Sequence, residues 1–331
     1  MSIKEPSYHD VNYALRPAKN IERKMMSEVL QCLARVGPVS EYQYVGFGSI
    51  FFADYRLFHR TFGMDRMTSI EGYEDDEARV KHNRPYDCIE VKMGMSYDVL
   101  RFLDWSRKSI VWLDYDHEIA RYVLDDLDLV SSRVQPGSVI VVTLDGETKR
   151  LKDPKTVREE ELETWPKRPR QQLERLVGKN RVSPELQPHD LRGKRLMETY
   201  RRLLTAQIDY TLRSKNLGAD EADRWHFRQI FNFRYADTAQ MMTVGWVLYP
   251  STDSTLIEHC RFGASEFCRD SDRPLEIKVP NLTLREIRDL DRYLPTGTDS
   301  EGYRQIPVPD HDKRLYHKIY RLFPTFTEAD L

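Results

Sequence analysis

The chain has 331 residues, of which 40% are hydrophobic and 31% are charged, and its formal net charge is −2. This composition excludes collagen-like and low-complexity chains and is typical of a globular protein with one or two domains. No apolar run approaches the roughly eighteen residues of a membrane-spanning helix. Four widely spaced cysteines without a CxxC pair, and an N-terminus without an apolar leader, predict a cytoplasmic protein with free thiols and no membrane contact.

Residues 1–40 are predicted to form an N-terminal helical arm. Within them, Ile21–Val36 carries apolar residues at helical spacing and is closed by a Gly-Pro pair. Three cations of this arm either close over a bound carboxylate or are ordinary surface charges: Arg16, Lys19 and Lys24.

Five short apolar runs follow and predict strands, at Tyr42–Gly46, Met67–Glu71, Cys88–Val91, Ser109–Asp114 and Ser138–Asp145. The stretches between them have helical patterns, at Phe51–Thr61, Glu74–His82, Tyr97–Trp105 and Ile119–Val130. This alternation predicts an α/β domain over 41–331, with a Rossmann-like, doubly wound, mostly parallel sheet that helices cover on both faces.

The pattern changes to charged, proline-broken helices at about 149–227, which predicts a basic helical insertion. Residues 149–215 hold 18 Lys and Arg against 10 Asp and Glu, a local balance of +8. Such a block either contacts nucleic acid or forms a solvated helical surface. Beyond it, Arg228–Phe233 and Met241–Leu248 read as late strands joined by Asn232–Asp237.

Two glycines and a carboxylate mark the candidate cofactor site. Gly46 and Gly48 follow the first strand, and Glu71 ends the second, 23 residues after Gly48. An acid at that place accepts hydrogen bonds from the ribose of an adenosine cofactor at the carboxyl edge of a parallel sheet. The alternative is a tight turn beside a solvent-facing Glu. Phe51 stands where a full dinucleotide fingerprint has its third glycine, which disfavours a nicotinamide-dependent dehydrogenase.

The end of the fourth strand carries the densest polar cluster, which includes the candidate catalytic residues Asp114, Asp116 and His117. Imidazole is suited to general-base work near neutral pH. The alternative is that Asp116 caps a helix whose first turn contains His117.

The series Val45–Gly48, Ser69–Glu71, Trp112–Asp114 and Val141–Asp145 resembles class I S-adenosylmethionine-dependent methyltransferases, and among them bacterial O-methyltransferases most closely. The resemblance implies S-adenosylmethionine as cofactor and an unidentified methyl acceptor. It implies that Gly46 and Gly48 pass under the methionine part and that Glu71 holds the ribose. It further implies that Met95 and Ser96 flank the adenine and that Asp114 lies beside the reacting methyl group.

A further similarity, to catechol-type O-methyltransferases, implies a Mg²⁺ ion held by Asp114 and Asp145. The pattern departs from that family at Gly146, where Asn is expected, so Asp145-Gly146 reads equally as a plain turn. The function predicted from the sequence is S-adenosylmethionine-dependent methyl transfer. The alternative is a methyltransferase-like binding or scaffold protein without activity, in contact with nucleic acid.

Overall fold

The computed structural model describes residues 16–147, 168–237 and 239–324. Within these ranges it places eight strands in one sheet of order β3-β2-β1-β4-β5-β7-β6-β8. The strands are β1 Gln43–Gly46, β2 Met67–Glu71, β3 Ile89–Met93, β4 Ser109–Asp114, β5 Ser138–Asp145, β6 Trp225–Ala236, β7 Gln240–Pro250 and β8 Leu275–Ile277. The first five pair in parallel, β7 runs antiparallel to β5 and β6, and β8 pairs in parallel with β6. The predicted Rossmann-like, mostly parallel sheet is confirmed.

The helices are α1 Pro17–Leu30, α2 Ala53–Phe62, α3 Glu77–Asn83, α4 Ser96–Val99, α5 Arg121–Arg133, α6 Arg168–Val177, α7 Gly193–Lys215, α8 Ser254–His259, α9 Leu284–Asp291, α10 Glu301–Gln305 and α11 Asp310–Ile319. Helices α1 and α2 cover one face of the sheet and α5 and α7 the other, and alternate residues of each strand point to these two faces. On β4, Ile110 and Trp112 join the core beneath α1 and α2. Val111 and Leu113 join the core beneath α5 and α7.

The helix of the predicted arm is part of the main core. Ile21, Met26 and Val29 of α1 are fully buried and share a cluster with β4, β5 and β6. α1 ends at Leu30 and continues as a 3-10 turn to Arg35, so the helical segment is tighter at its end than the pattern predicts. The helix therefore lies against the sheet that carries the candidate site.

The described part of the basic insertion also covers the sheet. α7 packs on α5 and β6, and its Leu204 and Ile208 are fully buried. Residues 149–167 of the basic block lie outside the described residues. Among the described ones, several cations are already paired with acids: Arg170 with Glu174, Arg181 with Asp125, Arg202 with Glu198 and Arg213 with Asp209.

The late strands are longer than predicted. Asn232–Asp237 was expected to link them, but β6 continues to Ala236 and pairs with β7 along almost its whole length. That prediction was wrong, because polar residues on the outer stretch of a paired strand resemble a loop in composition. A capping box begins α9: Thr283 N donates to Glu286 Oε2 at 2.7 Å, and Glu286 N donates to Thr283 Oγ1 at 3.3 Å.

Candidate active site

The site lies where the strand order reverses. β1 pairs with β2 on one side and with β4 on the other, so Gly46 lies between Ser69 and Trp112. Glu71 and Asp114 each lie two residues beyond these partners. The turn after β1 and both carboxylates therefore meet at one carboxyl edge, which is the place where open α/β sheets bind ligands.

The Glu71 carboxylate holds the glycine turn. Its Oε1 accepts hydrogen bonds from Gly48 N at 2.9 Å, Ser49 N at 3.0 Å and Ser69 Oγ at 2.6 Å. Burial raises the pKa of Glu71 to about 7, although these three donors oppose the rise. Within the described parts of the chain, Oε2 accepts no hydrogen bond, so this oxygen is available to a ribose hydroxyl.

The turn itself is close-packed and strained. A Cβ on Gly48 would lie 2.5 Å from Ser69 Oγ and 2.8 Å from the Phe52 ring, so only glycine fits. Ser49 (φ 50°) and Phe52 (φ 46°) both adopt the left-handed conformation. Such non-glycine residues cost about 1–2 kcal/mol each, and they cluster at ligand sites, where the fold imposes them.

A lysine of α1 reaches the second carboxylate. Lys19 is 1% exposed, and its Nζ lies 2.8 Å from Asp114 Oδ1 and 2.9 Å from Glu22 Oε2. The ammonium also lies 4.4 Å from the centre of the Trp112 ring. Lys19 is therefore an internal partner of Asp114, and it is not the surface cation that one interpretation of the sequence predicted.

Glu22 is fully buried, and it is a site residue that was not predicted from the sequence. The signal was present: Ala18, Ile21, Met25 and Val29 form an apolar stripe, and Glu22 falls inside it, four residues after Ala18. A carboxylate in such a stripe requires a buried partner, and the cation three residues earlier is that partner.

The other two candidate catalytic residues lie in the loop after β4. Asp116 is exposed and does not cap a helix, since α5 begins only at Arg121. The capping alternative was therefore wrong. His117 Nδ1 donates to Glu118 O at 2.7 Å, and its Nε2 lies within hydrogen-bond distance of the Tyr122 hydroxyl. Both ring nitrogens thus have partners, and a general-base role for His117 requires the Tyr122 bond to open.

The two candidate adenine neighbours point in different directions. Met95 is 41% exposed, and its Sδ would lie 3.1 Å from a Cβ on Gly72, the residue after β2. Ser96 is buried and donates to Asp126 Oδ2 at 2.5 Å, where the Tyr115 hydroxyl also donates at 2.7 Å. Met95 thus faces the edge beside Glu71, whereas the Ser96 side chain anchors α5.

Both candidate magnesium ligands have other partners in the described structure. Asp114 already has the Lys19 ammonium against one oxygen, and Asp145 Oδ1 accepts a hydrogen bond from Glu147 N at 2.8 Å. An added Cβ on Gly146 would lie 2.6 Å from Met197 Cγ of α7, so any side chain at position 146 requires Met197 to move. In the described ranges, no group of three or more His, Cys, Asp or Glu residues is arranged to hold a metal ion.

Comparison with known proteins decides the family. A family model described as "Putative O-methyltransferase" matches residues 11–331. The chain belongs to this family. The resemblance inferred from the strand-end motifs is thereby confirmed at the level of the family. No curated protein matches the sequence of this methyltransferase-family chain.

Several solved structures are similar at low identity. A putative O-methyltransferase from Klebsiella pneumoniae is 12% identical, with 72% of this chain and 82% of that chain covered and a TM-score of 0.35. The O-methyltransferase TomG from Streptomyces achromogenes, in complex with S-adenosylmethionine, is 13% identical, with 68% and 79% covered and a TM-score of 0.34. The complex of the Haloferax volcanii Trm112 methyltransferase activator with a putative methyltransferase matches at 20% identity and a TM-score of 0.28. In that match this chain covers 55% of the other chain. The family membership depends on the matched family model alone.

Proposed function

We propose that this chain transfers a methyl group from S-adenosylmethionine to a hydroxyl oxygen of its acceptor, at the edge formed by the β1 turn, Glu71 and Asp114. The observation that supports this most is the Glu71 carboxylate, which is bonded to the amides of Gly48 and Ser49 with Oε2 still available. These bonds fix the strained, close-packed turn in one conformation at the edge of the sheet, where a ligand can approach it. They also place the carboxylate beside the turn, where it can accept hydrogen bonds from two ribose hydroxyls.

The residues present fit such a cofactor. Glu71 would accept the ribose hydroxyls, Gly46 and Gly48 would let the methionine part approach the backbone, and Met95 would cover the adenine beside Gly72. Asp114 lies across the β1–β4 crevice from Glu71, its side chain is 23% exposed, and it would face the reacting methyl group.

The transfer itself requires mainly alignment. Bound S-adenosylmethionine would supply the methyl group, with the electron pair of the broken carbon–sulfur bond staying on sulfur, and Asp114 would accept the proton of the acceptor hydroxyl. Because the sulfonium is already a good leaving group, proximity and orientation account for most of the rate enhancement. Asp114 adds a proton acceptor at the oxygen, and Lys19 keeps that carboxylate in place.

The test is transfer of a labelled methyl group from S-adenosylmethionine to a panel of phenols, aliphatic alcohols, carboxylates, RNA and protein. We expect label to accumulate on a hydroxyl acceptor, with the same rate after treatment with EDTA, because Lys19 stands where a metal would bind Asp114. Loss of turnover in EDTA would restore the magnesium interpretation. Cofactor binding without transfer to any acceptor class would favour the scaffold interpretation.

Nucleic acid is the second candidate partner, favoured by the local charge of +8 over residues 149–215. An RNA or DNA acceptor would bind with a steep salt dependence through counterion release.

We also infer a cytoplasmic site of action, since all four cysteines are free thiols. Among the described residues, no helix is long and apolar enough to cross a membrane.

A further inference from the structure

One buried ammonium behind the β1 turn pairs with two carboxylates. Lys19 Nζ lies 2.9 Å from Glu22 Oε2 and 2.8 Å from Asp114 Oδ1, and no other described cation forms a salt bridge with either carboxylate. Lys19 and Glu22 are at most 1% exposed, whereas the Asp114 side chain, at the edge of the site, is 23% exposed. Because an unpaired charge is costly at such depth, the two carboxylates require a proton or a further cation.

Glu22 is the carboxylate best placed to hold that proton. It is fully buried, whereas the Asp114 side chain is partly exposed, and burial disfavours the charged form of a carboxyl group. The groups around Glu22 are Lys19 on its own helix, Asp114 on β4, Tyr235 on β6 and the Thr243 hydroxyl on β7. Burial, reinforced by the charge of Asp114, raises the pKa of Glu22 against the opposing effect of Lys19.

Glu22 is also close to the proposed reaction centre. One ammonium, that of Lys19, contacts both Glu22 Oε2 and Asp114 Oδ1. The two carboxylates are thus separated by a single cation, and a positive charge placed beside Asp114 acts on Glu22 with little screening.

We propose that Glu22 holds a proton in the unliganded protein and releases it when the positive sulfonium of S-adenosylmethionine binds, but keeps it when the uncharged thioether of S-adenosylhomocysteine binds. This inference rests on the proposed function. The exchange is balanced: one sulfonium charge enters, one proton leaves the Glu22 carboxyl group for the buffer, and no covalent bond to carbon changes.

The exchange has a consequence for methyl transfer. When the methyl group leaves sulfur, the sulfonium charge disappears and the cluster again requires a proton. In the same step the acceptor hydroxyl must lose one. The cluster of Asp114, Lys19 and Glu22 therefore becomes a stronger proton acceptor as the methyl group is transferred.

The test is calorimetric titration of the full chain with each ligand at pH 6, in two buffers of different ionisation enthalpy. At this pH the amino groups of both ligands are protonated, so they do not contribute to a difference in proton count. Any proton released from Glu71 is the same for both ligands, because both carry the same ribose. We expect S-adenosylmethionine to release more protons than S-adenosylhomocysteine, with a difference of at most one proton per chain. Equal proton counts for the two ligands overturn the inference.

Two variants assign the proton. In Glu22→Gln the difference in proton count should disappear, with S-adenosylhomocysteine affinity within about threefold of wild type. In Glu28→Gln it should persist, because Glu28 lies on the same helix but pairs with Arg321 at 3.7 Å, away from the site. A difference that survives in folded Glu22→Gln protein overturns the assignment to Glu22.

A second measurement does not require the variant to fold. If a proton is exchanged for the sulfonium, the ratio of the S-adenosylhomocysteine Kd to the S-adenosylmethionine Kd rises several-fold between pH 5.5 and pH 6.5, toward a limit of tenfold per pH unit. A flat ratio overturns the inference. Absence of binding by both ligands instead refutes the proposed function, and the inference falls with it.

Discussion

Replacing Glu71 by Gln should change how the stability of the protein depends on pH. In the folded state the pKa of Glu71 is about 7, against an ordinary value of 4.5. Between these values the unfolded chain loses the proton and the folded chain keeps it, so the free energy of unfolding falls as the pH rises. The stability contributed by the protonated carboxyl is thus complete below pH 4.5 and is lost as the pH rises through 7.

The magnitude follows from the same two values. At 1.36 kcal/mol per pKa unit, the full effect is about 3 kcal/mol, and most of it falls between pH 5 and pH 8. The Glu71→Gln side chain would keep an acceptor oxygen for the amides of Gly48 and Ser49 but would not titrate. The decrease in unfolding free energy over this range should therefore be about 2–3 kcal/mol smaller in Glu71→Gln than in wild type.

Urea unfolding at pH 5 and pH 8 measures the effect. Glu90→Gln is the matched control, because Glu90 lies on the neighbouring strand β3 and is exposed. It should reproduce the wild-type dependence. A Glu71→Gln protein whose stability changes with pH in parallel with wild type would refute the buried, proton-binding state of Glu71.

Three further predictions concern the site and the insertion. Gly48→Ala places a methyl group against Ser69 Oγ, so S-adenosylhomocysteine affinity should fall at least tenfold by calorimetry; unchanged affinity would mean that the turn does not approach the ligand. Asp114→Asn should keep that affinity within about threefold, roughly 0.7 kcal/mol, while transfer to the true acceptor falls a hundredfold or more; unfolding of this variant would indicate a structural role only. If the basic block 149–215 binds nucleic acid, RNA affinity should fall steeply between 50 and 200 mM salt, and a flat response would leave only the solvated surface.

The sheet was largely predictable from the sequence because its strands carry strong local signals. β2, β4 and β5 begin and end where their apolar runs do, since a polar or turn residue limits each run. β8 was missed because it has three residues and owes its strand conformation to pairing with β6. The unpredicted length of β6 has the same cause, namely pairing across the sheet that a local pattern does not reveal.

In the candidate site, too, local sequence patterns predict some contacts, and others depend on tertiary packing. Gly48 and Glu71 lie together because they follow and end neighbouring strands of the sheet. The sequence indicates this by their separation of 23 residues. The bonds among Lys19, Glu22 and Asp114 join a helix to a strand end 95 residues away, and their burial depends on how α1 lies across the sheet. Charge alone did not distinguish Lys19 from a surface cation, although Glu22 within an apolar stripe was a readable sign of a buried ion pair.

The most direct test of the account is the affinity of the protein for S-adenosylhomocysteine with and without the Glu71 carboxylate. Calorimetric titration should give one site per chain in wild type and in the exposed control Glu90→Ala. In Glu71→Ala the affinity should be at least tenfold lower, because two charge-assisted hydrogen bonds of about 1.5–3 kcal/mol each are lost. No binding to the wild-type protein, or equal affinity in folded Glu71→Ala, would contradict the assignment of the cofactor site to this edge of the sheet.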